Sequence, residues 1–128
     1  MNRTVAMAAM LVSGLVFASA FSSATEAYAQ TGKSVQVDIV KGATNLKDKS
    51  YKPNPVKVKV GTTVTWKNVD SAAHTVTSGK STDKDAGKLF DSKILGPKKE
   101  FSFKFDKKGT FDYYCQLHPT MVGKVAVS

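Results

Sequence analysis

Four side chains of metal-ligating type lie in the second half of the chain, three of them within seven residues. They are His74, Cys115, His118 and Met121, and the last three form the pattern C-x2-H-x2-M. Two imidazoles, a thiolate and a weak thioether form a ligand set that suits copper in both of its common oxidation states. The sequence therefore predicts a copper site that gains and loses one electron with little rearrangement.

This pattern needs two separate segments of the fold. Phe111, Tyr113 and Cys115 alternate with polar residues, which predicts a strand that turns the thiol inward at its last residue. One turn after that strand must then present Cys115, His118 and Met121 to the same ion. His74 lies 41 residues before Cys115 and must come from a distant loop.

The dominant hydrophobic period in the chain is two, which is typical of half-buried strands. Glycines and a Gly-Pro pair separate the runs, and no helical period is present. The pattern predicts an all-β Greek-key β-sandwich of about seven to eight strands. The predicted strands cover residues 35–39, 56–60, 64–66, 101–105, 111–115 and 125–127, with weaker candidates at 74–78 and 89–94.

The first 29 residues predict a secretory signal peptide rather than part of the fold. Arg3 is followed by a long uncharged apolar segment and then by Ala27-Tyr28-Ala29, a small-residue cleavage pattern. Cleavage after Ala29 would leave residues 30–128 as a single copper-binding domain. The alternative is an uncleaved N-terminal anchor, since the apolar segment reaches the lower limit for spanning a bilayer. Both alternatives place the domain outside the cytoplasm.

Composition excludes several classes of protein. A chain of 128 residues holds one domain, and a single Cys excludes an internal disulfide framework or a multi-thiolate zinc site. The net charge is +9, and the domain after Ala29 contains lysine but no arginine. Without arginine for bidentate base contacts, and with export predicted, nucleic acid is not expected as a partner. The lysines favour either an acidic partner or a simple solubilising surface.

Two segments carry a resemblance to a known family. GTFDYYCQLHPTMVGKVAV, residues 109–127, resembles the C-terminal copper loop of the cupredoxins, the type 1 blue copper proteins. The short loop with Pro119 after the histidine is similar to that of amicyanin-like members, and the remainder is also similar to plastocyanin-like members. PNPVKVKVGTTVTWKNVDSAAHTVTSG, residues 53–79, resembles the strand and first-histidine loop of the same family.

The resemblance implies a role for each matching position. His74 and His118 would be imidazole ligands of one copper ion, Cys115 the thiolate ligand and Met121 the axial ligand. The backbone carbonyl of Ala73 would lie near the opposite axial position, too far away to bind.

Two positions depart from the family pattern. Thr75 stands where the family commonly has Asn, and its amide is expected to hydrogen-bond the Cys115 sulfur. Leu117 stands where related loops usually have Pro, so it keeps an N–H that can donate to the thiolate. Such a bond would stabilise the reduced site, which predicts a higher reduction potential than in a Leu117→Pro variant.

The function implied is one-electron transfer between extracytoplasmic redox proteins, in the periplasm or another lumenal space, by a monomer that is not an enzyme. Electrons would pass through an electron-port patch formed by Leu117, His118, Pro119 and Thr120. Leu117, Pro119, Thr120 and Met121 would form a small apolar docking patch around His118. Lysines around the patch would orient donor and acceptor proteins with acidic docking surfaces. The mature form would have no membrane contact unless the leader is retained.

Three other functions use the same residues. A copper carrier or metallochaperone would exchange the metal, although the domain after Ala29 has no spare Met or His for hand-off. A copper enzyme would need an open coordination position or further histidines. A metal-free interaction module would leave the four-residue coincidence without an explanation. Zinc also suits two His and one Cys, so the metal found on purification does not by itself identify the native one.

Overall fold

Two four-stranded sheets form the fold in the computed structural model, which describes residues 33–128. The predicted leader, residues 1–29, lies outside the described residues, and so does the alternative of an uncleaved anchor. The strands are β1 Ser34–Ile39, β2 Tyr51–Lys52, β3 Val56–Val58, β4 Thr62–Asn68, β5 Thr77–Ser78, β6 Glu100–Phe105, β7 Gly109–Tyr114 and β8 Val122–Val127. Two short 3-10 helices, Ala43–Asn45 and Lys47–Lys49, connect β1 to β2. The all-β prediction is confirmed.

One sheet has the strand order β2-β1-β4-β6 and the other β3-β8-β7-β5. β1 pairs with β4 and β3 with β8 in parallel, whereas the other neighbours are antiparallel. The carboxyl ends of β1 and β4 therefore lie at the same end of the sandwich. That end, called the metal end below, also receives the loop that carries His74.

The two weaker strand predictions are only partly correct. Of residues 74–78, only Thr77–Ser78 forms a strand, while His74 makes an isolated bridge with Leu95. In the segment 89–94 the ladder contact is a single bridge between Asp91 and Thr77. Apart from Thr77–Ser78, which pairs with β7 at the edge of its sheet, both segments make only isolated bridges. No helix in the described range combines the length and apolar character needed to cross a membrane.

The core follows from the period-two pattern. In β4 every second side chain is buried, from Thr62 through Val64 and Trp66 to Asn68. Trp66 is fully buried at the centre of an aromatic cluster, at ring-centroid distances of 5.3–6.4 Å from its partners. Such pairs contribute roughly 0.5–1.5 kcal/mol each beyond the apolar area they bury. The partners are Phe90, Phe101, Phe105 and Tyr113.

A close contact between β7 and β8 allows the core to form beside the copper loop. Tyr113 and Gly123 face each other in the antiparallel register. The Tyr113 ring lies over Gly123 so closely that a Cβ there would come within 2.4 Å of the ring atom Cζ. Gly123 is therefore required by packing, because any side chain at this position would displace the aromatic ring.

Candidate metal centre

The copper loop begins directly after β7 and ends directly before β8. His118 N–H donates to the Cys115 carbonyl at 3.2 Å, and Met121 N–H donates to the His118 carbonyl at 2.9 Å. The loop closes where Cys115 N–H donates to the Met121 carbonyl at 3.1 Å. Two successive turns thus return the chain to the end of β7, which explains the three-residue spacing of the predicted ligands.

His74 is held in place by a different set of contacts. Its N–H and carbonyl both bond to Leu95, at 3.1 and 2.8 Å. The buried Asn68, at the end of β4, shapes the preceding loop by donating to the carbonyls of Ala72 and Leu95 at 2.8 and 3.0 Å. His74 is therefore fixed by backbone pairing with a segment that the sequence pattern did not connect to it.

These two segments bring three of the predicted ligands together. Cys115 Sγ lies 3.8 Å from His74 Nδ1 and 3.7 Å from His118 Nδ1. One donor atom from each of the three residues lies within 4.8 Å of the others. His74 and Cys115 are fully buried, whereas His118 is only half-buried.

The donor spacing fits one bound metal ion. Donors that each bond a metal at roughly 2.0–2.3 Å, at angles between tetrahedral and trigonal, lie about 3.5–3.8 Å apart. Both sulfur–nitrogen distances fall at the upper end of this range. Two imidazoles and a thiolate in this arrangement are a donor set typical of type 1 copper.

Met121 occupies a position consistent with its predicted role. Its side chain is fully buried, and its backbone bonds to both Cys115 and His118. The thioether as axial ligand stays a prediction, as does the placement of the Ala73 carbonyl. The expectation that Met121 forms part of the apolar docking patch is wrong, because its side chain is fully buried.

Of the two hydrogen bonds predicted to reach the Cys115 sulfur, the described part of the chain contains the one from Thr75 and lacks the one from Leu117. Thr75 N–H donates to Cys115 Sγ at 3.3 Å, and Thr75 Oγ1 accepts from the Gln116 N–H at 2.8 Å. A threonine thus joins the two ligand loops at the position where the family commonly has Asn. Within residues 33–128 no hydrogen bond links the Leu117 N–H to this sulfur. The expected effect of Leu117 on the potential therefore has no structural support.

Asp70 is a buried acidic residue that the sequence analysis missed. Its Oδ2 lies 2.7 Å from His74 Nε2, and its Oδ1 accepts backbone N–H groups of Gly42 and Ser71 at 3.0 and 2.8 Å. Burial acts to raise the pKa of Asp70, but the bonds from His74, Gly42 and Ser71 outweigh it and lower that pKa to about 2. Because an ionised carboxylate can only accept, His74 Nε2 is assigned as the ring N–H that donates a hydrogen bond to Asp70 Oδ2, which leaves Nδ1 to face the sulfur.

The electron-port patch is solvent-accessible as predicted by its position in the loop. Leu117 is 46% exposed, Pro119 and Thr120 are exposed, and His118 is half-buried among them. Ile94, which the sequence analysis did not select, is 65% exposed and precedes Leu95, the residue that pairs with His74. The available signal was the apolar pair Ile94-Leu95 directly before Gly96-Pro97.

Comparison with known proteins agrees with this geometry. The family model for copper binding proteins of the plastocyanin/azurin family matches residues 35–128. Amicyanin-alpha of Methylorubrum extorquens is 34% identical over 119 residues, which cover 88% of this chain and 97% of that protein. Chloroplastic plastocyanin of Hordeum vulgare is 32% identical over 103 residues, covering 76% of this chain and 66% of that protein.

A solved structure shows the same likeness in three dimensions. A purple cupredoxin from Nitrosopumilus maritimus has 37% sequence identity and a TM-score of 0.67, covering 73% of this chain and 99% of that chain. The predicted cupredoxin resemblance and the prediction of copper as cofactor are confirmed. On its fold, its buried donor cluster and these matches, the chain belongs to the plastocyanin/azurin family of copper-binding proteins.

Proposed function

We propose that this protein is a one-electron carrier whose copper ion is held by His74, Cys115, His118 and Met121. The observation that carries the proposal is the buried cluster in which Cys115 Sγ lies 3.7–3.8 Å from two imidazole Nδ1 atoms. A copper ion bound there supplies a single redox centre that alternates between Cu(II) and Cu(I).

The protein's contribution is to fix the donors before the metal binds. The loop hydrogen bonds fix Cys115 and His118, whereas Leu95 and Asp70 fix His74 by its backbone and its ring. Because these bonds do not involve the copper, the donor positions need little change between the two oxidation states. A small rearrangement favours fast electron transfer.

His118 is the proposed electron port. The other two clustered donors, His74 and Cys115, are fully buried, so His118 is the ligand whose ring edge lies nearest to solvent. Leu117 and Pro119 supply an exposed apolar surface beside it, and the exposed Ile94 precedes Leu95, which pairs with His74. A redox partner that packs against this surface reaches the metal through one imidazole.

Lysines at the metal end favour partners with acidic docking surfaces. Lys41 and Lys98 line one shallow depression together with Asp70, and Lys47 is exposed in the connection that follows β1. None of these three lysines forms an ion pair with another residue of the part described by the structure. Their field would orient an acidic partner over a Debye length of roughly 8–10 Å.

We place this activity in the periplasm or another lumenal compartment, with residues 1–29 as the leader and residues 30–128 as the mature, monomeric domain. The relatives named amicyanin and plastocyanin support an electron carrier rather than an enzyme. The metallochaperone alternative has no observation in its favour, since two of the clustered donors are inaccessible to an incoming partner.

The testing experiment is an optical and electron paramagnetic resonance spectrum of residues 30–128 with Cu(II), before and after ascorbate. An intense visible band with a narrow copper hyperfine splitting, both lost on reduction, is the expected result. Cys115→Ser should abolish the band while leaving copper bound through the histidines. An ordinary tetragonal copper signal in the wild-type protein would overturn the proposal.

A further inference from the structure

A row of hydrogen-bonded hydroxyl groups runs from the copper loop to a carboxylate in another loop. The Gln116 N–H donates to Thr75 Oγ1 at 2.8 Å, and Thr75 Oγ1 lies 3.0 Å from Thr77 Oγ1. Thr77 Oγ1 in turn donates to Asp91 Oδ1 at 3.2 Å. Three consecutive hydrogen bonds therefore join Gln116, the nearby pair Thr75 and Thr77, and Asp91, which belong to three separate segments of the chain.

The direction of every bond in this row follows from counting hydrogens. A carboxylate only accepts, so the single hydroxyl hydrogen of Thr77 belongs to Asp91. Thr77 Oγ1 must then accept the hydrogen of Thr75, which leaves the Thr75 oxygen free to accept from the Gln116 N–H. All three donors consequently point toward Asp91, and bonds aligned in this way polarise one another.

Thr75, which supplies the first hydroxyl of the row, also contacts the sulfur through its backbone. Thr75 donates its own N–H to Cys115 Sγ at 3.3 Å, while its hydroxyl holds the amide that directly follows Cys115. Thr75 and Thr77 are buried, and the Asp91 side chain is only 15% exposed. Water is therefore largely excluded as a substitute for any of these partners.

We propose that Thr77 and Asp91 are positioning residues for Cys115, acting through Thr75. Neither contacts the metal cluster in the described structure, yet together they fix the orientation of the Thr75 hydroxyl. That orientation keeps the Gln116 amide and the N–H···S bond in place on either side of the thiolate. This inference rests on the proposed function, since it assigns these residues to a copper–thiolate site.

The expected consequence is a change in the reduction potential of the copper site. An N–H that donates to a thiolate withdraws charge from the sulfur and so favours the reduced metal. When the row is broken, the Thr75 hydroxyl loses its fixed orientation, and the bond from the Thr75 N–H to the sulfur weakens. The reduction potential then falls, and the copper–sulfur absorption band changes.

Thr77→Val removes the hydroxyl group and keeps the side-chain shape nearly constant, whereas Thr77→Ser retains the hydroxyl group. At a fixed applied potential we expect the ratio of reduced to oxidised protein to fall at least threefold in Thr77→Val. A threefold change in this ratio corresponds to part of the net free energy of one hydrogen bond. Thr77→Ser should match the wild-type protein within measurement error. Asp91→Ala, which removes the row at its other end, should shift the ratio and the band in the same direction.

A matched control separates this effect from general loss of stability. Ser50 Oγ is fully buried and donates to the Ala43 carbonyl at 2.6 Å, outside the row. Ser50→Ala should lower the unfolding temperature but leave the potential and the visible band unchanged. Wild-type spectra in Thr77→Val and Asp91→Ala would overturn the inference while leaving the electron-carrier proposal intact. A wild-type protein with no copper–sulfur band would instead overturn that proposal.

Discussion

The ring nitrogen Nε2 of His74 and the carboxylate Oδ2 of Asp70 lie 2.7 Å apart, and both side chains are buried. The other ring nitrogen faces Cys115 Sγ. The imidazole is therefore fixed at both nitrogens, by the metal cluster on one side and by a carboxylate on the other. Carboxylates in this position orient the ring and raise its basicity toward a metal.

Asp70→Asn is expected to weaken Cu(II) binding by about 10- to 100-fold and to raise the reduction potential. The reason is that a neutral amide no longer favours the positive charge of the oxidised site. Competition with a chelator measures the affinity, and a redox titration measures the potential. Asp106→Asn, at an exposed position after β6, is the control and should change neither. Equal Cu(II) affinity in wild type and Asp70→Asn would contradict the role of this carboxylate.

Ile94→Ser should slow electron exchange between two copies of the protein at high salt, where lysine repulsion is screened. The expected decrease is at least threefold with no change in potential, because the substitution removes apolar contact area and leaves the ligands untouched. Nuclear magnetic resonance line broadening in mixtures of reduced and oxidised protein measures the exchange rate. Leu89→Ser changes a similarly exposed apolar residue near Phe103 and Phe111 and is the matched control. If both variants exchange at the wild-type rate, the metal-end surface is not the route.

The anion hexacyanoferrate(II) should reduce the Cu(II) protein more slowly as salt is added. The reason is that salt screens the attraction between this anion and the lysines. Replacing Lys41, Lys47 and Lys98 together by Gln should reduce this salt dependence. The control replaces Lys107 and Lys108, which follow β6 at the opposite end of the sandwich. Stopped-flow absorbance of the copper band provides the rates. A salt dependence that is flat, or equal in both variants, would argue for a purely solubilising role.

Gly123→Ala should destabilise the domain by about 1–3 kcal/mol. The added Cβ would lie 2.4 Å from Tyr113 Cζ, and the ring cannot move without disturbing the aromatic core. Gly96→Ala is the matched control, because nothing lies within 4 Å of its added Cβ. Denaturant unfolding of the metal-free proteins measures both. Equal midpoints in the two variants would show that the β7–β8 contact is more adaptable than its geometry indicates.

Alkaline pH should destabilise the fold through two buried tyrosines. Burial raises the pKa of Tyr51 and Tyr113 above the ordinary value of about 10. Below that pH both phenols are neutral in the folded and unfolded chains, so their contribution is fully present. Above it only the unfolded chain ionises, which lowers the free energy of unfolding by up to about 1.4 kcal/mol per pH unit for each tyrosine.

The measurement is the slope of unfolding free energy against pH in the wild-type protein and in Tyr51→Phe. The variant should lose one tyrosine's share of the slope, whatever its stability at neutral pH. The comparison of slopes matters because Tyr51 Oη also donates to the Thr75 carbonyl at 2.8 Å, and Phe cannot. Identical slopes would mean that Tyr51 ionises equally in both states.

Much of this protein was accessible from the sequence because its signals are local. Alternating apolar residues indicated the strands, and C-x2-H-x2-M placed three candidate ligands in a loop that two turns close. The hydrophobic period and the spacing of turns depend on residues that are close along the chain, so they can be recognised without knowledge of the fold. The strand prediction for residues 89–94 was only partly correct, because a single isolated bridge produces no repeating pattern in the sequence.

The remaining features depend on contacts between distant segments, which no local pattern encodes. In the sequence, Asp70 is one acidic residue in a polar loop, and only the folded structure shows that it is buried against His74. The row from Thr75 through Thr77 to Asp91 likewise exists only because two loops meet behind Cys115. The sequence by itself determined the sandwich and the chemical identity of the donors. Only the tertiary structure decided which donors are buried, which one faces solvent and which hydrogen bonds orient them, because burial and long-range pairing are properties of the packed chain.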